Sequence, residues 1–255
     1  MISLALPWIT DVEKKLINEA LESTWISSKG KFINILENST TLTKRSLNLA
    51  VSNGTTALSL IYESLFGRKE NNILVPNMTF AATANAVIQS NNNPIFYPVI
   101  DTGLSFEPNY DELEIAIKKF DIKGFVLVHL YGEPSNIKLA IDFCKKNNLY
   151  LIEDCAETPL GTDVNGIQVG TLGDASAFSF FANKVIVTGE GGLASFKNSN
   201  HFNKAKLIRD HGMSIKTKYV HDIVGFNYRM TNLQAAMGCG QLERVEEILS
   251  KRKSI

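Results

Sequence analysis

The sequence predicts an α/β protein, a three-layer α/β/α sandwich around a mainly parallel central sheet. Three observations predict it. Short apolar runs alternate with helical patterns from residue 47 to residue 196. These runs stay apolar at successive positions, as expected of strands covered on both faces. No repeat, low-complexity tract or linker divides the 255 residues, so the chain reads as one contiguous unit, 1–255, with a helix and arm over about 1–45.

The elements follow in order. Val12, Leu16, Ile17, Ala20 and Leu21 recur at helical spacing behind Thr10, a good N-cap, and predict an opening amphipathic helix over 11–21. An irregular segment with Ser27, Ser28, Lys29 and Gly30 comes next. Strands are expected at 47–51, 73–75, 95–99, 125–130, 149–152, 175–180 and 193–196, with helices at 56–65, 111–119 and 137–146 between them. Asn91, Asn92, Asn93 and Pro94 form a turn before a strand. The last pattern predicts one long helix over 232–252, closed by Lys251, Arg252 and Lys253 where cations suit the helix dipole.

Composition narrows the function. Lys plus Arg and Asp plus Glu are 26 each, so the balanced charge implies neither nucleic acid nor a membrane surface as partner. Cys144, Cys155 and Cys239 form no CxxC pair and leave an odd thiol, which argues against a disulfide framework and against a metal site. The apolar start, residues 1–8, lacks a basic leader, and no run reaches membrane-spanning length, so a cytoplasmic protein with a small-molecule partner is expected.

One stretch stands out. "SFFANKVIVTGEGG" sets Lys184 in an apolar run just beyond a strand, where strand ends in such sheets present residues to a ligand crevice. Asp154 ends another strand and would face the same crevice, where an acid can hold a cation. Ser52, Asn53, Gly54 and Thr55 lie between a strand and a helix, a place where backbone N–H groups can bind phosphate, and Ser179 offers a second phosphate ligand. Phe80 lies where a strand gives way to a helix and can stack on a flat ring. Taken singly, each has an ordinary counterpart: a lysine that snorkels, an aspartate that caps, a turn, a hydroxyl satisfied in a strand, a core phenylalanine. Together they are a phosphate cradle, an aromatic platform, an acid and an amine, the parts that hold pyridoxal phosphate.

At that point a resemblance extends over nearly the whole chain. "STWISSKGKF", "VSNGTTAL", "VPNMTFAATANAV", "VHLYGEP", "LIEDCAE", "VGTLGDASAFSFFANKVIVTGEGG", "RDHGM", "GFNYRMTNLQAAMG" and "QLERVEEI" stand in the order seen in sugar-nucleotide aminotransferases of the fold-type I pyridoxal phosphate enzymes. The chain resembles in particular the branch that includes GDP-perosamine synthase. The resemblance makes Lys184 the Schiff-base lysine and Asp154 the partner of the pyridine nitrogen. It stacks Phe80 on the ring, gives the phosphate to Gly54, Thr55 and Ser179, and sets Glu157 against the cofactor. Asn227 matches a residue that reaches the phosphate of the neighbouring subunit, which implies a homodimer with shared sites. The implied reaction moves an amino group, with glutamate as expected donor, to C4 of a nucleotide-linked 4-keto-6-deoxy sugar, a step in polysaccharide or O-antigen synthesis. The family continues into a smaller C-terminal domain that this sequence does not include, so 1–255 is expected to be the cofactor-binding large domain. "CAETPLG" carries one residue more than the usual pattern, and residues 32–47 match it poorly. Two other functions stand beside this one: a non-catalytic paralogue that keeps the fold, and a pyridoxamine phosphate-dependent sugar dehydratase. The dehydratases carry histidine in place of the lysine, so Lys184 argues against that reading.

Overall fold

Alternate residues of the central strands enter two different cores. Leu74, Phe125, Leu127, Leu151 and Phe178 pack in one, and Ile73, Val75, Val126, Val128, Ile152 and Ala177 in the other. Successive side chains of a strand point to opposite faces, so runs that are apolar throughout require a cover on both sides.

The computed structural model describes residues 5–214 and 216–254, so the first four residues of the expected arm and Ile255 lie outside the described residues. The chain begins with α1 (Asp11–Glu22), α2 (Lys31–Asn38), β1 (Asn48–Val51), α3 (Gly54–Leu65), β2 (Asn72–Pro76), α4 (Ala81–Gln89) and β3 (Asn93–Tyr97). A small ribbon of β4 (Val99–Asp101) and β5 (Phe106–Pro108) precedes α5 (Tyr110–Lys119), β6 (Ile122–Val128), α6 (Ile137–Asn147) and β7 (Tyr150–Asp154). Then come β8 (Ala175–Ser179), β9 (Gly192–Phe196), α7 (Ser199–Arg209), α8 (Asn232–Glu243) and α9 (Val245–Lys253).

The main sheet has the order β1-β9-β8-β7-β6-β2-β3. Neighbours from β8 through β3 pair in parallel, and β9 runs antiparallel to both β8 and β1. The expected mainly parallel sheet is present. From α3, α4 and α7, Leu58, Ile61, Tyr62, Val87 and Ile208 fill one core. From α2, α5, α6 and α8, Phe32, Leu36, Leu113, Phe143 and Ala236 fill the other. The chain leaves β2 for β3 on one side and later adds β6 on the other. Such a reversal opens a crevice at the carboxyl ends of the strands.

Two expected elements are corrected. The strand read over 95–99 stops at Tyr97, because Pro98 has no N–H to continue the ladder, and Val99 belongs to the separate β4–β5 ribbon. The single helix read over 232–252 is two helices that break at Arg244, where φ is −109° and ψ 15°. The break lets the Arg244 guanidinium reach Glu13 on α1 at 2.8 Å and lie 4.6 Å from the Trp8 ring.

Glu13 is itself fully buried, and it ties the N-terminal helix to the rest of the chain. Its carboxylate accepts the Thr10 N–H and hydroxyl, both at 2.7 Å, in a capping box, and also the Gln241 amide at 2.8 Å. Burial pushes its pKa up, but the hydrogen bonds from Thr10 and Arg244 outweigh burial and hold it below the usual carboxylate range. The contribution to stability is therefore present above the unfolded-state value of about 4.3 and is lost as pH falls through the lower folded-state value. Removing one partner of a buried ion pair costs about 3–5 kcal/mol. Glu13→Ala should fall near 3 kcal/mol by urea unfolding at neutral pH, because Arg244 retains Glu247 at 3.0 Å. The deficit should shrink as the titration is carried below about pH 4.

Candidate active site

The crevice holds a cavity of about 430 Å³. Its wall brings together Gly54, Thr55, Phe80, Asp154, Glu157, Ser179 and Lys184, seven of the eight residues singled out in the sequence. The eighth, Asn227, lies elsewhere on the surface of this chain, where its side-chain oxygen accepts from Arg229 Nε at 3.0 Å.

Each residue arrives by a local rule. Asn53 caps α3: its side chain accepts the Thr56 N–H at 2.9 Å and the Thr56 hydroxyl takes the Asn53 N–H at 3.1 Å. That leaves the Gly54 and Thr55 N–H groups at the helix start without intrahelical acceptors, on the cavity wall. Gly54 approaches β8 closely, since a Cβ built on it would lie 2.8 Å from Ser179 Cβ. Only glycine admits that approach, and it puts the Ser179 hydroxyl beside the helix N-terminus, a site suited to phosphate. Phe80 is the residue before the first turn of α4 and is 72% exposed. A phenyl ring this open at the mouth of a cavity offers a face for stacking.

Asp154 is the last residue of β7 and is buried. It shares a sheet face with Ile152, while Glu153 points to the opposite one. Burial raises its pKa, against hydrogen bonds from the Thr83 hydroxyl at 2.9 Å and the Ala156 N–H at 3.2 Å that favour the anion. A buried acid of this kind is stabilised by a cation beside it. Lys184 follows β8 in a turn whose first hydrogen bond runs from the Lys184 N–H to Phe181 O at 2.9 Å. Its carbonyl accepts from Arg252 at 2.8 Å, so the end of α9 braces the lysine segment. Its amine lies 3.7 Å from Glu157 Oε1, and Glu157 Oε2 accepts the Tyr131 N–H at 3.0 Å. The extra residue of "CAETPLG" does not remove Glu157 from the wall, since the loop turns after it, at Leu160 with φ +66°.

The sequence reading passed over Thr79, Thr83, Phe181, Asn183 and Glu190, which also line the cavity. Thr79 and Thr83 were detectable as hydroxyls four apart across a strand-to-helix boundary, a spacing that puts them side by side. Among the described residues one trio, His129, Glu153 and Cys155, brings possible metal ligands within 4.8 Å of one another. Glu153 is already engaged there by the N–H groups of Gly170, Leu172 and Gly173 at 2.8, 3.2 and 2.7 Å, and it shapes the turn into β8.

The chemistry of the wall fits one group. An anion site at a helix N-terminus, an open phenyl ring, a buried acid and a primary amine match, in turn, the phosphate, ring, pyridine nitrogen and aldehyde of pyridoxal phosphate. Fold and site together define a pyridoxal phosphate-dependent transferase. A sequence profile of the DegT/DnrJ/EryC1/StrS aminotransferase family matches residues 7–255, and the chain belongs to that family. GDP-perosamine synthase of Vibrio cholerae is 38% identical over 256 residues, which is 100% of this chain and 69% of the relative. PseC of Helicobacter pylori, an aminotransferase involved in the biosynthesis of pseudoaminic acid, superposes with a TM-score of 0.88 at 28% identity, over 99% of this chain and 68% of the other. Spr1654 of Streptococcus pneumoniae in its PLP form gives 0.88 at 25% identity, over 99% and 69%. The chain thus spans about two thirds of the length of these relatives. No helix among the described residues is long and apolar enough to cross a membrane.

The close approach of Gly54 to Ser179 is directly testable. Gly54→Ala should push the Ser179 side chain from the helix N-terminus and weaken pyridoxal phosphate binding about tenfold, through loss of one charge-assisted hydrogen bond. Fluorescence titration of the cofactor-free protein reads the affinity, and an unchanged far-ultraviolet circular dichroism spectrum shows that the fold is kept.

Proposed function

We propose that this chain carries the cofactor site of an aminotransferase that moves an amino group from glutamate to C4 of a nucleotide-linked 4-keto-6-deoxy sugar, a reading in keeping with its similarity to GDP-perosamine synthases. The observation that carries the reading is the placement of Lys184 and Asp154 on one cavity with the α3 N-terminus and Phe80. The 38% identity to GDP-perosamine synthase along the full chain supports the sugar class.

Bound pyridoxal phosphate supplies an electron sink for the pair released when the donor's α C–H bond breaks. The residues of this chain do the rest. The Gly54 and Thr55 N–H groups and the Ser179 hydroxyl hold the phosphate, and Phe80 holds the ring plane. The Asp154 carboxylate would hold the ring nitrogen and favour its protonated form. Lys184 Nζ would be the base that takes the proton from the donor's α-carbon and delivers it to C4′ of the cofactor. Glu157, 3.7 Å away, provides the opposite charge when that amine is an ammonium.

Two features support a homodimer with shared sites. The Arg229 bond to the Asn227 oxygen leaves the Asn227 amide N–H groups as outward donors, suited to a phosphate on a second chain. The preceding segment exposes Tyr219, Val220, Ile223 and Val224, an apolar stretch that a partner subunit would cover.

Borohydride reduction in the presence of pyridoxal phosphate should attach a phosphopyridoxyl group to Lys184, read by peptide mass mapping. A label on another lysine, or none, would sink the assignment. Amino transfer is then checked with a 4-keto-6-deoxy sugar nucleotide and glutamate, where release of a deoxygenated keto sugar without a new amine would refute the reaction. Asn227→Ala should weaken cofactor affinity by about one to two decades, the range for a hydrogen bond to a charged phosphate, without loss of fold. A stable monomer that holds the cofactor tightly, by sedimentation and fluorescence titration, would contradict the shared site.

A further inference from the structure

Thr83 lies in the first turn of α4 with its side chain fully buried, between Asp154 and Thr79. Its hydroxyl is 2.9 Å from Asp154 Oδ2 and 2.8 Å from the Thr79 hydroxyl. An ionised carboxylate only accepts, so the single Thr83 O–H points to Asp154 and the Thr83 oxygen must accept from Thr79. The chain of donors therefore has one direction, from Thr79 on the cavity wall through Thr83 to Asp154. The other carboxylate oxygen takes the Ala156 N–H at 3.2 Å. One bond on each oxygen, one from α4 and one from the loop that follows β7, fixes the plane of the carboxylate.

We propose that Thr83, oriented by Thr79, is a positioning residue that fixes the Asp154 carboxylate toward the cofactor's ring nitrogen. This rests on the reading of Asp154 as the partner of that nitrogen. Although Thr83 borders the cavity, its one hydroxyl proton is committed to Asp154, so it acts through that carboxylate. Other ionisable groups also face the carboxylate: Tyr62 from α3, His129 after β6, Cys155 next in the chain and Lys184 after β8. Of these only His129 and Lys184 can favour the anion by charge, and among the described residues neither donates a hydrogen bond to it. The donors that reach the carboxylate are Thr83 and Ala156. A donor to the charged form lowers a carboxyl pKa, so its removal raises it.

The test compares Thr83→Val, which keeps the volume and loses the donor, with Thr83→Ser, which keeps the donor. Carbon-13 carboxyl NMR of the cofactor-free protein, with the Asp154 resonance assigned by Asp154→Asn, reads the pKa directly. Thr83→Val should raise it by about one to two pH units, the equivalent of a hydrogen bond to a charged group. Thr83→Ser should stay within a few tenths of a unit of the parent. Thr79→Val keeps Thr83 packed and should shift the pKa upward by less. In the loaded protein, Thr83→Val should also weaken cofactor affinity about tenfold, with recovery in Thr83→Ser. An Asp154 pKa unmoved by Thr83→Val or Thr79→Val, or moved equally by Thr83→Ser, overturns the proposal. Cofactor affinity undiminished in Asp154→Asn overturns the role of Asp154 on which it rests, and the NMR shift distinguishes that failure from the first.

Discussion

A buried carboxylate sits on the wall of a cleft, and the walls of that cleft are organised around it. Asp154 closes a strand in the middle of the sheet, where both faces are covered, so its charge must be met by hydrogen-bond donors and by a cation. Thr83 and Ala156 supply the donors. The remaining direction opens to the cavity, where a protonated ring nitrogen is the natural counter-charge.

The parallel sheet is what places the other groups around that acid. Reversal of strand order between β2 and β6 brings the starts of α3 and α4 and the ends of β7 and β8 to one crevice. A helix start offers free N–H groups, and a strand end offers side chains that point into the opening. The groups on the cavity wall thereby sit at helix starts and strand ends, and the lysine occupies the turn that follows β8. Arg252 from α9 braces that turn, so the C-terminal helices matter to the site although they do not line its main cavity.

Strands and the residues that meet on the cavity were legible for the same reason. A strand buried on both faces is predominantly apolar, and 73–75, 125–130 and 175–180 have that character in the bare sequence. A lysine at 184 or an acid at 154 is conspicuous against such a background. Helices α2, α4 and α7 were not legible on these grounds. In α7 only Ala205 and Ile208 are buried, so its sequence is mostly polar and carries little periodic signal. In α4 the Ala-rich turns show weak contrast between faces, although Thr83 turns inward to Asp154.

The sequence by itself determined the alternation of strands and helices, the cap at Thr10, and which amine, acid, ring and small residues are available to line a cavity. These are properties of local pattern and side-chain chemistry, which a linear string carries in full. Only the tertiary structure decided that the helix over 232–252 breaks at Arg244, whose guanidinium there meets Glu13, 231 residues away in the chain. It alone decided that Thr83 points to Asp154, since the partners are 71 residues apart. It also set Asn227 away from the cavity formed by the other seven residues. Long-range partners such as these are chosen when packed elements bring distant segments within hydrogen-bonding distance, and no spacing in the sequence records which ones will meet.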